Sequence, residues 1–408
     1  MKKIIVICIC ILGFQMSYAQ EDLQVYLKAA AQNNPGLQVK FNEYMAALEV
    51  IPQVGSLPDP SFAFGYFILP VETREGPQIA KVSANQMFPW FGSLQAKEDV
   101  AVQLAKAKYE AFEEAKSILF NEVKATYYNL YFTRKAIFVM SENQSILHVF
   151  KQLALTKIET GKASLNDELR VEMELADLEN QLALVQDKYE VLSITFNNLL
   201  NVDNESIISI PDLIWEQDLK LDKKALLDSI YANNHQLLSL EYQYHSLESR
   251  QQVAKKAGLP NISIGIDYTF IGKGENNLSG KDALLFPKIG ITIPLYRNKY
   301  KAMVNEVLYL QAAKTEEKFE KELVLETIFE NAFKDYKDAQ RRISHYSSQG
   351  KLAKQSLKLI EVEYSTNAKG FEEMLRMERR LLKYDLELEK ARVDKLASIA
   401  FVQYLMGQ

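Results

Sequence analysis

The sequence has almost no cysteine: of its 408 residues only Cys8 and Cys10 are cysteine. Both lie in an N-terminal segment with a charged start, a short apolar run and small residues up to Ala19, which predicts a signal peptide over residues 1–19. The apolar run is shorter than the roughly 20 residues that span a bilayer. The chain beyond Ala19 is therefore expected to have no disulfide, no thiolate metal site and no cysteine nucleophile.

Other features that mark common functions are also missing. No apolar run after residue 19 reaches the roughly 20 residues of a membrane-spanning helix. Positive and negative charges are interspersed with a net charge of −5, so no basic stripe indicates a nucleic-acid partner. The histidines stand singly and the methionines are scattered, so we expect no metal site and no cofactor (His148, His235, His245 and His345). No phosphate loop and no nucleophile–base pair is recognisable, so enzyme activity is not expected.

Glycine and proline are absent between Gly92 and Gly161, and the residues there favour helix. The pattern predicts one helix over 92–160, about 100 Å long at 1.5 Å per residue. A second long helix is predicted over 296–366. Return helices are predicted over 164–200 and 371–406, the first with Ser164 as N-cap and Asp167 at the capping-box position.

The first return helix has a heptad pattern that predicts coiled-coil packing against the first long helix. Its apolar positions recur every seven residues in two series (Leu175, Leu182, Tyr189 and Phe196, then Leu178, Val185, Leu192 and Leu199).

Four segments alternate between apolar and small or polar residues, which predicts β-strands. They cover 61–69, 79–88, 261–271 and 288–295. Each predicted strand therefore has one apolar face and one small or polar face.

The halves of the chain repeat the same order of elements at an offset of about 205 residues. Pro89 corresponds to Pro294 and Gly161 corresponds to Gly370. We predict a first repeat over 20–201, a connector over 202–221 and a second repeat over 222–408 that begins with a helix over 222–257. The N-terminal helix is predicted to end before Pro52. From its length, we expect it to stack on the C-terminal return helix.

The strands fit the length and alternation of lipid-facing barrel strands, about 10 residues each. Aromatic residues at their ends, Trp90, Phe91 and Tyr296, fit a membrane interface. A soluble sandwich also alternates. Four strands cannot close a barrel, which takes about eight, and an open edge is not viable in lipid. Two, three or four copies of the chain would have to share one barrel.

The duplicated layout resembles the TolC-type outer-membrane efflux proteins. The motifs that carry the resemblance are Leu57-Pro58-Asp59-Pro60 before the first strand, Gln86-Met87-Phe88-Pro89-Trp90-Phe91-Gly92 after the second, and the turns at Gly161 and Gly370. The resemblance implies a mainly α-helical fold with a membrane β-barrel portion: a homotrimer with a twelve-stranded barrel in outer-membrane lipid and a periplasmic tunnel of helical hairpins. It also implies a periplasmic adaptor (membrane fusion protein) and an inner-membrane RND pump as partners. The Pro-Asp-Pro and Phe-Pro-Trp motifs look most like those of the branch associated with heavy-metal pumps.

The resemblance also suggests where function lies. It implies an acidic pore gate after the second turn, at Glu372 and Glu373, with Asp167 as a weaker candidate; acids in a first helical turn also simply complement the helix dipole. It suggests adaptor contacts at Gly161, Ser164, Leu165, Gly370 and Phe371, where plain turn chemistry is the alternative.

We expect an outer-membrane exit duct for heavy-metal cations or drugs. The alternatives are a soluble periplasmic coiled-coil adaptor or scaffold, and the outer-membrane duct of a type I protein secretion system.

Overall fold

A computed structural model of the chain describes residues 22–274, 280–367 and 370–408. The predicted signal peptide and part of the predicted second turn, residues 368–369, lie outside the described residues. The helices are α1 over 22–33, α2 Pro35–Gly55, α3 Ser93–Glu159, α4 Leu165–Leu200, α5 Lys223–Asn233, α6 His235–Ala257, α7 Arg297–Asn367 and α8 Phe371–Leu405. The strands are β1 Ser61–Tyr66, β2 Glu72–Thr73, β3 Gly76–Phe88, β4 Asn261–Ile271 and β5 Ala283–Thr292.

The chain divides into two compact units. The first comprises the described residues up to Val39 together with Glu113–His235 and Glu322–Gln408. The second comprises Lys40–Phe112 and Gln236–Lys321, and it contains the whole sheet. The long helices α3 and α7, of 67 and 71 residues, contribute to both units. Among the described residues, no helix has a stretch long and apolar enough to cross a membrane.

The end of the N-terminal helical segment was predicted wrongly. Helix α2 continues to Gly55 with Pro52 inside it. A proline removes one backbone hydrogen bond from a helix, and side chains here supply others: the Gln53 amide donates to the carbonyl of Glu49 at 2.7 Å, and the Ser56 hydroxyl donates to that of Pro52 at 2.6 Å. The helix passes the proline by about one turn.

The sheet is antiparallel in the order β1-β3-β4-β5, and the short β2 pairs with β3. The pairs β1/β3 and β4/β5 come from the two halves of the chain and are joined through β3 and β4. Strand β1 ends earlier than predicted, and β3 begins earlier because β2 extends its hairpin.

Strand β5 covers Ala283–Thr292 rather than the predicted 288–295. Phe286 and Pro287 lie opposite a single residue of β4, at the irregularity between Gly265 and Asp267. A proline within a strand is tolerated at such a bulge, so Pro287 does not end the strand.

The stacking of short helices also differs from the prediction. The break between α1 and α2 lies at the C-terminal end of α4, because the Asn34 side chain donates to the carbonyl of Leu199 at 3.0 Å. The break between α5 and α6 lies at the end of α8, where Asn234 donates to the carbonyl of Leu405 at 3.0 Å. Each asparagine satisfies a carbonyl that a helix end leaves without an intrahelical partner. The break that follows α1 therefore meets the end of the first return helix, where the C-terminal return helix was predicted.

The first unit has a core built by four helices. Side chains from α3, α4, α7 and α8 form one buried cluster (Met140, Leu147, Phe150, Ala154, Val171, Leu175, Leu178, Leu357, Tyr364, Phe371, Met374 and Leu375). The heptad residues of α4 are all buried or half-buried. This cluster lies next to the turns at Gly161 and Gly370, which the sequence predicts to be functional.

Candidate functional site

The turn after α3 is built around Gly161. Its φ is +71°, and no atom would lie within 4 Å of a Cβ there. Its N–H donates to the carbonyl of Ile158 at 2.9 Å, and the N–H of Lys162 donates to that of Lys157 at 2.8 Å. This is the Schellman pattern, which ends a helix with a left-handed residue. The conformation, more than steric crowding, therefore favours glycine at this position.

Ser164 and Asp167 form the capping box at the start of α4. The Ser164 hydroxyl accepts from the N–H of Asn166 at 3.2 Å, and the Asp167 carboxylate accepts from the N–H of Ser164 at 3.4 Å. Asp167, a candidate for the pore gate, is thus engaged in fixing the helix start.

The other two gate candidates are paired with arginines. Glu372 accepts from Arg170 of α4 at 2.5 Å, and the hydrogen bond and charge of this arginine lower the pKa of Glu372. Glu373 accepts from Arg376 of the same helix at 2.5 Å. Each carboxylate therefore has a cation beside it, which the sequence-based hypothesis of an acidic ring did not include.

A second ion pair joins the return helices in the opposite direction. Arg379 of α8 contacts Glu174 of α4 at 2.5 Å. With the pair Arg170–Glu372, each helix gives one cation and one anion to the other. These reciprocal contacts link α4 and α8 next to the turns.

The proposed docking residues differ sharply in exposure. Leu165 is 62% exposed, but Phe371 is 3% exposed and packs against Tyr364 with ring centroids 5.1 Å apart. In this structure Phe371 belongs to the core, and its role in adaptor contact stays a prediction. Leu169 and Met173 are also exposed and follow Leu165 at four-residue intervals on α4. This apolar stripe is visible in the sequence at helical spacing, but it was missed because its residues are not among the heptad positions.

Lys157 is a residue that sequence reasoning missed. It is buried, and its ammonium donates to the carbonyl of Tyr364 and, at 3.2 Å, to that of Ser365. The ammonium also lies 4.5 Å from the centre of the Tyr364 ring. The two carbonyls belong to the last turn of α7, where no intrahelical donor is available. Lys157 thus caps α7 from the neighbouring α3.

Glu378 is a second missed residue. It is 2% exposed; one carboxylate oxygen accepts from Asn143 of α3 at 2.6 Å, and the other has no hydrogen-bond partner among the described residues. Burial, with further contributions from the charges of Glu361 and Asp385, raises the pKa of Glu378 to about 7. The spacing in the sequence could have indicated that Glu378 is buried, because it stands four residues after the buried Met374 in an apolar stripe.

The polar face of the sheet has a compact charge cluster. Asp267 of β4 contacts Lys81 of β3 at 2.7 Å and Lys288 of β5 at 3.2 Å. The opposite face exposes large apolar side chains, such as Phe62, which is 74% exposed, and Ile289, which is 66% exposed. The predicted division of the strands into an apolar and a polar face is observed.

The aromatic residues that the sequence predicts for a membrane interface stand beside the ends of the strands. Trp90 is half-buried, and its ring lies edge-on to that of Phe91 with centroids 6.0 Å apart. The backbone N–H of Trp90 donates to the side-chain oxygen of Asn261 at 3.3 Å. Phe91 and Tyr296 are exposed. Within the ranges that the structure describes, no three His, Cys, Asp or Glu side chains form a group that could hold a metal ion.

No protein-family model and no curated protein matches the chain. Solved structures do. The outer-membrane channel OprN is 16% identical, with a TM-score of 0.76 over 95% of this chain and 90% of that one. The outer membrane protein VceC of Vibrio cholerae is 14% identical, with a TM-score of 0.77 over 96% and 98%. The Neisseria gonorrhoeae outer-membrane channel MtrE, solved in its open state, is 15% identical, with a TM-score of 0.76 over 94% and 88%. The chain therefore has the fold of these outer-membrane channels, which confirms the TolC-type architecture of long helical hairpins and a small antiparallel sheet.

Proposed function

We propose that this protein is an outer-membrane channel that works as a passive exit duct. The observation that carries the proposal is the sheet: one face exposes large apolar side chains, and among the described residues β1 and β5 each pair on one side only. Lipid stabilises such an apolar face, but an unpaired strand edge in lipid costs several kcal/mol per polar group. Edges β1 and β5 are therefore proposed to pair between copies.

Three copies would close a barrel of twelve strands, counting β1, β3, β4 and β5 from each. The similarity in fold to outer-membrane channels supports this stoichiometry, which the TolC-type resemblance also implies. The polar face would then line the lumen, and Phe91 and Tyr296 would lie at the membrane interface. The two repeats, 20–201 and 222–408, would each provide one strand pair and one long helical hairpin.

The helical turns are proposed to dock a periplasmic adaptor that links the duct to an inner-membrane RND pump. Gly161, Ser164 and Gly370 shape the turns, and the exposed Leu165 offers apolar contact area. The cargo proposed from the resemblance is heavy-metal cations or drugs. Asp167, Glu372 and Glu373 would stand at the entrance, with their charge partly offset by Arg170 and Arg376.

Fractionation and conductance test the proposal. The protein should require detergent for extraction from outer membranes, migrate as a trimer without heating, and conduct ions in planar bilayers. A monomer in the soluble periplasmic fraction would instead support the adaptor or scaffold alternative. A type I secretion duct would give the same physical results and differ only in its partners, which co-purification after cross-linking identifies.

A further inference from the structure

The polar face of the sheet has an unequal number of positive and negative charges. The four strands β1, β3, β4 and β5 contain three charged residues: Lys81, Asp267 and Lys288. They come from three adjacent strands and form the single cluster described above. Two ammonium groups and one carboxylate give the cluster a net charge of one positive per chain.

The exposure of these groups makes the imbalance larger at the surface. The side chain of Asp267 is 4% exposed, whereas those of Lys81 and Lys288 are 39% and 49% exposed. Both lysines lie over the carboxylate, and the Lys288 ammonium contacts both of its oxygens, at 3.2 and 3.3 Å. An ion approaching this face meets the ammonium groups first, while the negative charge is covered.

We propose that this cluster makes the passage through the sheet favour anions over cations. The inference rests on the proposed function, because it needs a barrel with the polar face inside. Three copies would place six ammonium groups and three carboxylates at one level of the lumen. Rings of lysine or arginine are the usual basis of anion preference in pores. The carboxylates at the helical turns oppose this preference weakly, because Arg170 and Arg376 pair with two of them.

The proposal bears on the cargo. A bare divalent cation would be repelled at this level of the lumen, and an anionic or neutral solute would pass. The substrate class that fits the cluster is therefore negatively charged organic molecules, or metal ions carried as anionic complexes.

A charge series in planar bilayers tests the proposal, with the reversal potential measured in a KCl gradient. The wild type should prefer chloride, and Asp267→Asn should strengthen this preference. Replacing Lys81 or Lys288 singly by Gln should weaken the preference, and the double replacement should reverse the sign of the reversal potential. Lys81→Arg and Lys288→Arg keep the charge and should match the wild type.

The outcomes separate this proposal from the function on which it rests. A wild type that assembles and conducts but prefers potassium overturns the anion preference. So does a reversal potential that stays constant through the series. If the double glutamine variant does not form trimers, the wild type, Asp267→Asn and the arginine variants still decide the question. Absence of any conductance in wild-type trimers would instead contradict the channel function itself.

Discussion

The buried carboxylate of Glu378 makes a pH-dependent stability prediction. We consider the substitution Glu378→Gln, which keeps the size of the side chain and the oxygen that accepts from Asn143. The groups that raise the pKa come from two directions: Glu361 belongs to α7, and Asp385 belongs to α8. Glutamine is neutral at every pH, so it resembles the protonated form of Glu378.

The magnitude follows from the pKa. Glu378 has an ordinary pKa of 4.5 that is raised to about 7 in the folded chain. Below pH 4.5 the carboxyl is protonated in both the folded and the unfolded state, so it costs nothing. As the pH rises to 7, only the unfolded state gains by ionising, and the folded state loses stability by roughly 1.4 kcal/mol per pH unit. The loss is complete above pH 7 and amounts to about 3 kcal/mol per chain.

Thermal unfolding followed by circular dichroism at 222 nm, in detergent at pH 5 and pH 8, measures this effect. The melting temperature of Glu378→Gln should exceed that of the wild type clearly at pH 8 and only slightly at pH 5. Glu363→Gln, which removes an exposed carboxylate from α7, is the matched control and should show the same difference at both pH values. A Glu378→Gln variant that is equally or less stable than the wild type at pH 8 would refute the reasoning.

Three further predictions concern the turns and the sheet. Alanine at both Glu372 and Glu373 should leave trimers intact and reduce block of the conductance by multivalent cations; unchanged block would exclude these residues from the gate. Lys157→Met removes the donor to the last carbonyls of α7. The free energy of opening that turn should therefore fall by about 1–3 kcal/mol, and amide hydrogen exchange there should become faster. Unaltered exchange would contradict the capping role. Gly76→Ala would put a Cβ 2.0 Å from a backbone carbonyl oxygen, at a residue whose φ is +138°, so it should reduce the yield of membrane-inserted trimers. Gly65→Ala has open space around the new Cβ and should leave the yield unchanged. Equal yields of the two variants would argue against the close approach of the backbone at Gly76.

The sequence predicted best the elements that local chemistry determines. The range 92–160 became α3 Ser93–Glu159, and 261–271 became β4 with the same bounds. Both predictions depend on the glycine and proline residues that end regular structure and on the period of the apolar residues. Strand β5 was placed too late because regular alternation begins only at Lys288, and only its pairing partner reveals the bulge at Phe286 and Pro287.

Contacts between distant parts of the chain were harder to predict. The lengths of the short helices are compatible with either stacking partner, so length alone gave the wrong one. The informative feature was the pair of Asn-Asn dipeptides at Asn33-Asn34 and Asn233-Asn234. An asparagine at a helix break can cap another helix end, but the sequence does not say which carbonyl it reaches.

Charge is the property for which the sequence was least informative, because the electrostatic field at a site depends on which charged side chains lie next to it in the fold. Glu372 and Glu373 stand together in the sequence and suggest a doubly negative turn, yet each is paired with an arginine. Alanine at Glu372 would therefore do more than remove a negative charge, since it would also leave Arg170 without this partner at the same turn. In the sheet the relation is reversed: Asp267 is covered, and the lysines beside it determine the sign of the surface. If three copies surround one lumen, the turns are thus closer to neutral and the sheet more positive than their residue types suggest, and the ion preference of the duct is determined at the sheet.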